Sequence, residues 1–354
     1  MTPPVVVFVH LGENPTPTLV HFARVVKTRL PNADVVLITD LPGSHRAFPG
    51  RLIEYQNGIV PESIAVIRRR FPERKQLAGG YWIHTLERLF ALLQLQADLD
   101  DSPILHIESD VLLSVTQEHL VALNRYCRRT SVPRYSSDMG IASLLYSPSM
   151  EQLHHDLGVL ENILVQNINL GGKFLTDMQL LGLALNSGAL QELPTLPEKA
   201  WGLGEMTENR KLVFDGAAYG QYLFGRDPVH SSGMRMSGHQ NEFFPHQLST
   251  FDWSLRQSRD GLFTAGFMWD GSHFEIACFH IHSKEIVELP HFGSARWTRA
   301  VDEANGLCER KATGPHPDHI HSQRVSFLNQ IRLSRRNGKI RFLLDVLRRR
   351  KLSN

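Results

Sequence analysis

The first forty residues contain two short apolar runs separated by a segment with one apolar face. Val5–His10 and Asp34–Thr39 are rich in β-branched residues, and each predicts a buried strand. Between them, apolar residues recur every three or four positions after Thr16 and Pro17, which is the pattern of a capped amphipathic helix. A strand, a helix and a strand of these lengths predict a βαβ unit, so we expect the sheet to begin parallel.

Similar patterns recur farther along the chain. Residues 81–95 predict a long helix, and residues 103–107, 141–146 and 274–279 predict further strands. Glycine and proline interrupt residues 150–270, which therefore predict a less regular second half. Together these patterns predict an α/β domain with a mostly parallel central sheet flanked by helices.

The composition is that of an ordinary globular chain, since 42% of the 354 residues are hydrophobic and 21% are charged. No apolar run approaches the roughly 20 residues of a membrane span. The first residues lack the basic segment of a secretory leader, so we expect none. The three cysteines are scattered, without a Cys-x-x-Cys pair, which favours a reducing compartment and a cytoplasmic location.

Positive charge is concentrated at the end of the chain. Residues 332–351 hold nine lysines and arginines and one acid, whereas the whole chain has a formal net charge of +2, so the body is mildly acidic. An acidic body argues against nucleic acid as a partner. We expect one folded domain over 1–310, a polar His/Pro segment over 311–330 and a basic amphipathic tail over 331–354. This tail suits peripheral contact with an anionic membrane surface, and a disordered solubilising tail fits it equally well.

The first candidate for chemistry is an acidic pair that follows the strand predicted at 103–107. Glu108 and Asp110 are separated by one residue and lie where open α/β sheets bind ligands, beyond the carboxyl end of a strand. Carboxylate oxygens in this position suit a hard divalent cation, Mn²⁺ or Mg²⁺, which can bridge a diphosphate. The alternative is a solvated polar turn, because acid-x-acid sequences are common.

The second candidate is the run from His280 to Lys284. If the strand predicted before it continues, His280 and His282 project to the same face, and imidazoles there could bind Mn²⁺ or Zn²⁺. Lys284 lies one alternation farther on and could meet a phosphate. The alternative is a pair of ordinary strand-end histidines in a chain with 18 histidines. A second copy of the motif, at 319–322, has no strand before it and no lysine, so we interpret it as a solvated loop.

Three further segments carry charged groups in suggestive places. Arg88 lies on the helix predicted before the acidic pair and could hold a phosphate or a carboxylate, although a surface ion pair explains it equally well. Asp177, in Thr-Asp-Met-Gln179, and Asp215, in a run rich in small residues, could lie close to a ligand. Helix capping and turn chemistry are the alternative for both aspartates.

The order of these motifs resembles that of bacterial GT-A glycosyltransferases, in which a DxD motif follows a central strand. The resemblance extends over residues 5–284 and implies a GT-A, nucleotide-diphosphate-sugar transferase fold over 1–310. The Asp-x-Gln segment and the late histidines are similar to those of retaining galactosyl- and glucosyltransferase-like families. Two features depart from the pattern. Glu108 stands where the motif begins with Asp, and the late His-to-Lys spacing is shorter than in the best-known retaining families.

The resemblance also implies roles for particular side chains. We expect Asp177 to lie near the transferred sugar, and Asp215 to contact the acceptor or act as a base. The expected metal ligands are Glu108, Asp110, His280 and His282. The expected donor-binding residues are His10, Gly12, Asp40, Arg88, Glu108, Gln179 and Lys284.

The function implied is metal-dependent transfer of a hexose, with retention of configuration, from a nucleotide-diphosphate sugar to a saccharide or lipid-linked acceptor. The resemblance places this activity in surface-polysaccharide biosynthesis, in the cytoplasm or on the inner face of the membrane. Two alternatives remain open. A metal-dependent hydrolase would use the same acidic and imidazole groups, and a non-catalytic protein with a decayed site would bind nucleotide sugars without turnover.

Overall fold

The computed structural model describes residues 2–12, 17–56, 61–72, 81–95, 102–203, 209–224, 243–257 and 263–281. The segments 311–330 and 331–354 lie outside these ranges, so the predicted division of the chain there stays a prediction. The helices described are α1 (Pro17–Arg29), α2 (Glu62–Arg70), α3 (Tyr81–Ala91), α4 (Gln117–Tyr126), α5 (Met150–Asn169), α6 (Asp177–Asn186) and α7 (Tyr219–Phe224).

The strands fall into a central sheet, a second sheet and a two-stranded ribbon. The strands described are β1 (Val5–His10), β2 (Asp34–Thr39), β3 (Arg51–Glu54), β4 (Ile104–Ile107), β5 (Val111–Leu113), β6 (Ser131–Ser136), β7 (Met139–Gly140), β8 (Leu144–Ser147), β9 (Gln191–Leu193), β10 (Trp201–Gly202), β11 (Arg210–Val213), β12 (Asp252–Gln257), β13 (Phe263–Trp269), β14 (Ser272–Ile276) and β15 (Cys278–His280).

The central sheet has the strand order β3-β2-β1-β4-β8-β6-β7, with β9 paired to β6. Strand β1 pairs in parallel with both β2 and β4, and β2 pairs in parallel with β3. Strand β8 is antiparallel to β4 and to β6. The predicted α/β fold, with a mostly parallel central sheet flanked by helices, is therefore confirmed, and the carboxyl ends of β1, β2 and β4 share one edge.

The apolar run of β1 is continuous because both faces of this strand are buried. Val6 and Phe8 belong to a core formed with α1, α4 and the second sheet. Val5, Val7 and Val9 belong to a second core, formed with helices α3, α5 and α6. A parallel strand covered on both faces has no polar alternation, which is why the sequence indicated a buried strand so clearly.

Two sequence predictions about the first half need small corrections. The helix predicted at 81–95 is α3 followed by one 3₁₀ turn, Leu92–Gln94. The strand predicted at 141–146 begins later, at Leu144, because residues 141–143 form the turn between β7 and β8. In that turn the amide of Ile141 donates to the carbonyl of Pro133, at 3.0 Å.

The prediction of a less regular second half is wrong for residues 150–169 and 177–186, which form helices α5 and α6. Helix α5 has 20 residues, and the hydroxyl of Ser149 caps it by accepting the amide of Gln152 at 3.1 Å. The second sheet, in the order β10-β11-β14-β13-β12, follows later in the chain. Among the described residues, no helix is long and apolar enough to cross a membrane.

The strand predicted at 274–279 is broken in two at Ala277. The amide of Ala277 donates to Val213 in the second sheet, at 2.9 Å, whereas its carbonyl accepts the amide of Ser114, at 2.8 Å. The chain thus leaves β14 and pairs as β15 with β5, the short strand that follows the acidic pair. This change of partner carries the late histidine segment to the edge of the central sheet.

Candidate metal centre

The acidic pair lies beyond the carboxyl end of β4, a strand whose four residues are all buried. The amide of Glu108 donates to Ser143 at 3.3 Å, and the amide of Val111 donates to the carbonyl of Glu108 at 3.1 Å. These bonds turn the chain sharply from β4 into β5. Glu108 is buried and Asp110 is partly exposed, so the pair lies between the core and the solvent.

The pairing of β15 with β5 places His280 beside the acidic pair. His280 lies opposite Val111 in this antiparallel ladder, and the amide of Ile281 donates to the carbonyl of Asp110 at 2.9 Å. The Nε2 atom of His280 is 3.5 Å from Oδ1 of Asp110 and 3.7 Å from Oε2 of Glu108. The prediction that these two distant segments meet is confirmed by these distances.

The three side chains form a donor set that fits a divalent cation. Each offers one ligand atom, and these atoms all lie within 4.8 Å of one another. The separations between His280 and the carboxylates exceed a normal hydrogen bond. Ligands about 2.1 Å from an octahedral ion lie roughly 3 Å apart, so small side-chain movements would bring all three groups onto one ion.

Arg88 of α3 places a positive charge beside the carboxylate of Glu108. Its Nη2 atom is 2.7 Å from Oε1 of Glu108, and both side chains are mostly buried. The other carboxylate oxygen, Oε2, is the one that faces His280. The extra methylene of glutamate, compared with aspartate, lets this side chain contact Arg88 while it remains part of the acidic cluster.

Asp177, the first residue of α6, belongs to the same neighbourhood. Burial raises the pKa of Asp177, and the nearby charge of Glu108 acts in the same direction. The charge of Arg88 and a hydrogen bond with Thr85 lower this pKa. The side chain of Gln179 accepts the amide of Thr176 at 3.1 Å in a capping box, so Gln179 caps the start of α6, and its predicted contact with the donor stays a prediction.

The predicted nucleotide-binding residues lie at the carboxyl ends of β1 and β2. The amide of Gly12 donates to both carboxylate oxygens of Asp40, at 3.0 and 3.1 Å. Gly12 has φ +96°, a conformation that side-chain-bearing residues rarely adopt. The ring of His10 lies 5.2 Å from the ring of His45, between centroids. The structure therefore brings Gly12 and Asp40 together, with His10 at the end of β1, and the predicted donor-binding roles of these three residues stay predictions.

Sequence reasoning missed three polar side chains near these residues. His45 is buried, and burial lowers its pKa while the charge of Asp40 opposes that shift. Burial and the charge of Glu87 raise the pKa of Tyr55 to about 12. His84 Nδ1 lies 3.2 Å from Oε2 of Glu87. His84 precedes Arg88 by four residues and so shares its helix face, and that spacing is a signal that could have identified it.

The predicted role of Asp215 needs correction. Its side chain is fully buried, and its two oxygens accept four backbone amides. These donors are Ala218 and Tyr219 at 2.7 and 3.0 Å, and Gly220 and His280 at 2.8 and 2.9 Å. A carboxylate enclosed in this way cannot reach an acceptor or take a proton from one. The small residues after Asp215 allow the chain to wrap around it.

His282 and Lys284 lie outside the described residues, so their predicted roles as metal ligand and phosphate contact stay predictions. The second copy of the motif, at 319–322, also lies outside them. Of the late run, the structure describes His280 and Ile281. Within the described part of this run, the site receives the His280 imidazole, and the two backbone amides bond Asp215 and the carbonyl of Asp110.

No protein-family model and no curated protein matches this chain. Among solved structures, the galactosyltransferase LgtC, in complex with donor and acceptor sugar analogues, is similar over 55% of this chain and 76% of its own, with a TM-score of 0.36 at 15% identity. The apo form of glycosyltransferase GlyE of Streptococcus pneumoniae TIGR4 is similar over 54% of this chain and 45% of its own (TM-score 0.33, 12% identity).

The apo form of mouse xyloside xylosyltransferase 1 is similar over 67% of this chain and 96% of its own, with a TM-score of 0.33 at 10% identity. All three of these proteins are named as glycosyltransferases. At TM-scores of this size the likeness assigns no activity to the chain.

Proposed function

We propose that this chain is a glycosyltransferase that moves a sugar from a nucleotide-diphosphate sugar to a saccharide or lipid-linked acceptor, with a divalent cation at the acidic pair. The observation that carries the proposal is the meeting of Glu108, Asp110 and His280 beyond the carboxyl end of β4. Carboxyl ends of strands in open α/β sheets are where such folds bind ligands.

The arrangement along this edge of the sheet fits an extended donor. Strand β1 lies between β2 and β4, and the three strands are parallel. The Gly12–Asp40 contact and the acidic pair therefore lie at the same side of the sheet, beyond the carboxyl ends of these strands. A nucleotide bound near Asp40 would direct its diphosphate toward Asp110, and the sugar toward Asp177. His10 and Gly12 would line the nucleotide end of this path.

Each residue of the site would have its own role in binding the cation and, through it, the diphosphate. A bound cation supplies Lewis-acid stabilisation of the charge that develops on the leaving diphosphate. Asp110 offers the more exposed of the two carboxylates, His280 offers Nε2, and Glu108 offers Oε2, the oxygen that faces His280. Of the two metals expected, the imidazole favours Mn²⁺ over Mg²⁺. His282, as a further ligand, and Lys284, as a phosphate contact, belong to the same proposal.

The finer parts of the proposal come from the resemblance of the motifs to the GT-A family. Asp177 would face the sugar, Gln179 would contact the donor, and the transferred sugar would be a hexose whose configuration is retained. Surface-polysaccharide assembly in the cytoplasm, with the basic tail over 331–354 on an anionic membrane, completes the proposal. Flotation of the full chain with anionic vesicles, compared with a chain ending at residue 330, tests the membrane contact: equal flotation contradicts it.

A panel of nucleotide-diphosphate sugars, assayed with Mn²⁺ for nucleotide diphosphate release, tests the proposal. We expect release from one donor class, accelerated by a saccharide acceptor. In the Asp110→Asn variant we expect turnover to fall by about a hundredfold or more, because the several kcal/mol that a bound cation contributes to charge stabilisation would be lost. Unchanged turnover in this variant contradicts the proposed site.

The matched control is Asp34→Asn. Asp34 forms an exposed ion pair with Arg51, at 2.9 Å. It is the first residue of β2 and so lies at the amino end of the strand, away from the acidic pair, and we expect the loss of its charge to leave turnover unchanged. The same assay separates the alternatives. A hydrolase would cleave phosphoesters at full rate without a sugar acceptor, and a binding protein would bind one donor without releasing diphosphate.

A further inference from the structure

The fully buried carboxylate of Asp215 joins two parts of the chain that have no sequence proximity. Its Oδ1 atom accepts the amides of Ala218 and Tyr219, at the start of α7. Its Oδ2 atom accepts the amide of Gly220 at 2.8 Å and that of His280 at 2.9 Å. The carboxylate is thus fixed by α7 on one side and holds the backbone of His280 on the other.

The backbone around His280 is held from both sides of β15. The amide of Ile281 donates to Asp110 across the β5–β15 ladder, and because amides alternate along a strand, that of His280 points away from β5. Asp215 satisfies this outward amide. A Cβ at Gly220 would lie 2.3 Å from the carbonyl oxygen of His280, so α7 begins in direct contact with this peptide.

We propose that Asp215 is a positioning residue of the candidate metal centre. Its carboxylate fixes the peptide of His280, and thereby keeps Nε2 of that imidazole within reach of Asp110 and Glu108. The inference rests on the proposed function for the identity of the ligand, a divalent cation. It assigns to Asp215 no contact with donor, acceptor or cation, in keeping with its complete burial. Groups that orient metal ligands in this way contribute to affinity although they do not touch the ion.

The Asp215→Asn variant tests the inference at constant side-chain volume. Asparagine presents one acceptor oxygen instead of two, so its NH₂ group would face two amide donors. We expect the Kd for Mn²⁺, measured from the free-ion EPR signal, to rise by about ten- to a hundredfold. We also expect hydrogen–deuterium exchange at the amide of His280 to accelerate, and this measurement needs no metal.

The matched control is Asp156→Asn. Asp156 is equally buried, and it accepts the amide of Thr130 at 2.9 Å and the side-chain amide of Gln152 at 2.9 Å. Its partner Thr130 immediately precedes β6, which runs in the same direction as β4, so Thr130 lies at the end of the strands opposite the acidic pair. We expect this variant to lose thermal stability as Asp215→Asn does, but to bind Mn²⁺ as the wild type does. A merely structural role for Asp215 would make the two variants alike in both measurements.

The Asp110→Asn variant separates failure of the inference from failure of the proposed function. If Asp110→Asn weakens Mn²⁺ binding and Asp215→Asn does not, the inference is overturned while the proposed site stands. If Asp110→Asn binds Mn²⁺ as the wild type does, the proposed metal site fails. In that case hydrogen–deuterium exchange still tests the positioning role, and an unaltered exchange rate at the amide of His280 in Asp215→Asn overturns it as well. Should Asp215→Asn fail to fold, Gly220→Ala would displace the backbone of His280 at its carbonyl without a change of charge, and normal Mn²⁺ binding in that variant overturns the inference.

Discussion

Individual side chains at the acidic pair carry more than one contact each. Glu108 bonds Arg88 through one oxygen and faces His280 with the other. Asp110 holds β15 through its carbonyl and offers its carboxylate to the same histidine. Because each group is tied to a different element, a change in one is transmitted to the others, and a substitution that conserves size can still be costly.

The Glu108→Gln variant tests this coupling at the residue scale. The amide of glutamine has nearly the same shape as the carboxylate but carries no charge. It is therefore a poor ligand for a hard cation, and the negative charge that pairs with Arg88 is lost. We expect the Kd for Mn²⁺ to rise by about tenfold or more, with the fold retained. Titration of Mn²⁺ by EPR gives the result, and affinity equal to that of the wild type would show that Glu108 serves Arg88 alone.

The sequence identified these residues by type and order, but it could not assign their contacts. Glu108, Asp110 and His280 were predicted from carboxylates and imidazoles that follow apolar runs. Asp215 is also a carboxylate that follows an apolar run, yet it is buried and accepts hydrogen bonds from four backbone amides. What distinguishes it is the set of amides that surrounds it: three come from the residues just after Asp215, and the fourth comes from His280, 65 residues farther along the chain.

At the scale of elements, the second sheet is joined to α4 by a buried polar network. Nε2 of His119 lies 3.0 Å from Glu275 of β14, and Nε of Arg210 in β11 donates to the same carboxylate at 2.8 Å. The His119 side chain also accepts the amide of Thr116 as part of the helix cap. This network fixes the sheet that delivers β15 to the acidic pair.

This network predicts acid sensitivity. Burial alone would raise the pKa of Glu275, but the hydrogen bond from His119 and the charge of Arg210 outweigh it and hold the pKa at about 2. A depressed carboxyl pKa contributes stability that is present above about pH 4.3 and is lost as the pH falls through about 2. We expect Glu275→Gln to lower the free energy of unfolding at pH 7 by on the order of 3 kcal/mol.

Urea unfolding at several pH values checks this expectation. Glu275→Gln should show a smaller loss of stability between about pH 4.3 and pH 2 than the wild type, since it lacks the titrating group. Parallel pH profiles for the two proteins, separated by a constant, would contradict the assigned ionisation of Glu275.

Elements differ in how far the sequence could predict them. Strands β1, β2 and β4 were predicted because both of their faces are buried, which leaves an unbroken apolar run. The break at Ala277 was missed because the apolar pattern continues through it, and only the change of hydrogen-bond partners marks it. Helix α5 was missed although its leucines recur at helical spacing, because glycines and prolines on either side of it favour irregular structure.

At the scale of the whole molecule, the site depends on a contact between residues far apart in sequence. Residue 110 ends a turn of the central sheet, and residue 280 ends a strand that arrives from the second sheet. Periodicity cannot predict such a contact, because it reports only local structure. The order of motifs, compared with a known family, predicted it, and the pairing of β15 with β5 is its physical cause.

The central claim is that Glu108, Asp110 and His280 bind one divalent cation. Anomalous diffraction at the manganese edge, from crystals grown with Mn²⁺ and a nucleoside diphosphate, tests it directly. The account predicts one peak with Asp110 and His280 at about 2.1 Å and with the diphosphate as a further ligand. A peak elsewhere, or none at this cluster while turnover still requires Mn²⁺, would contradict it.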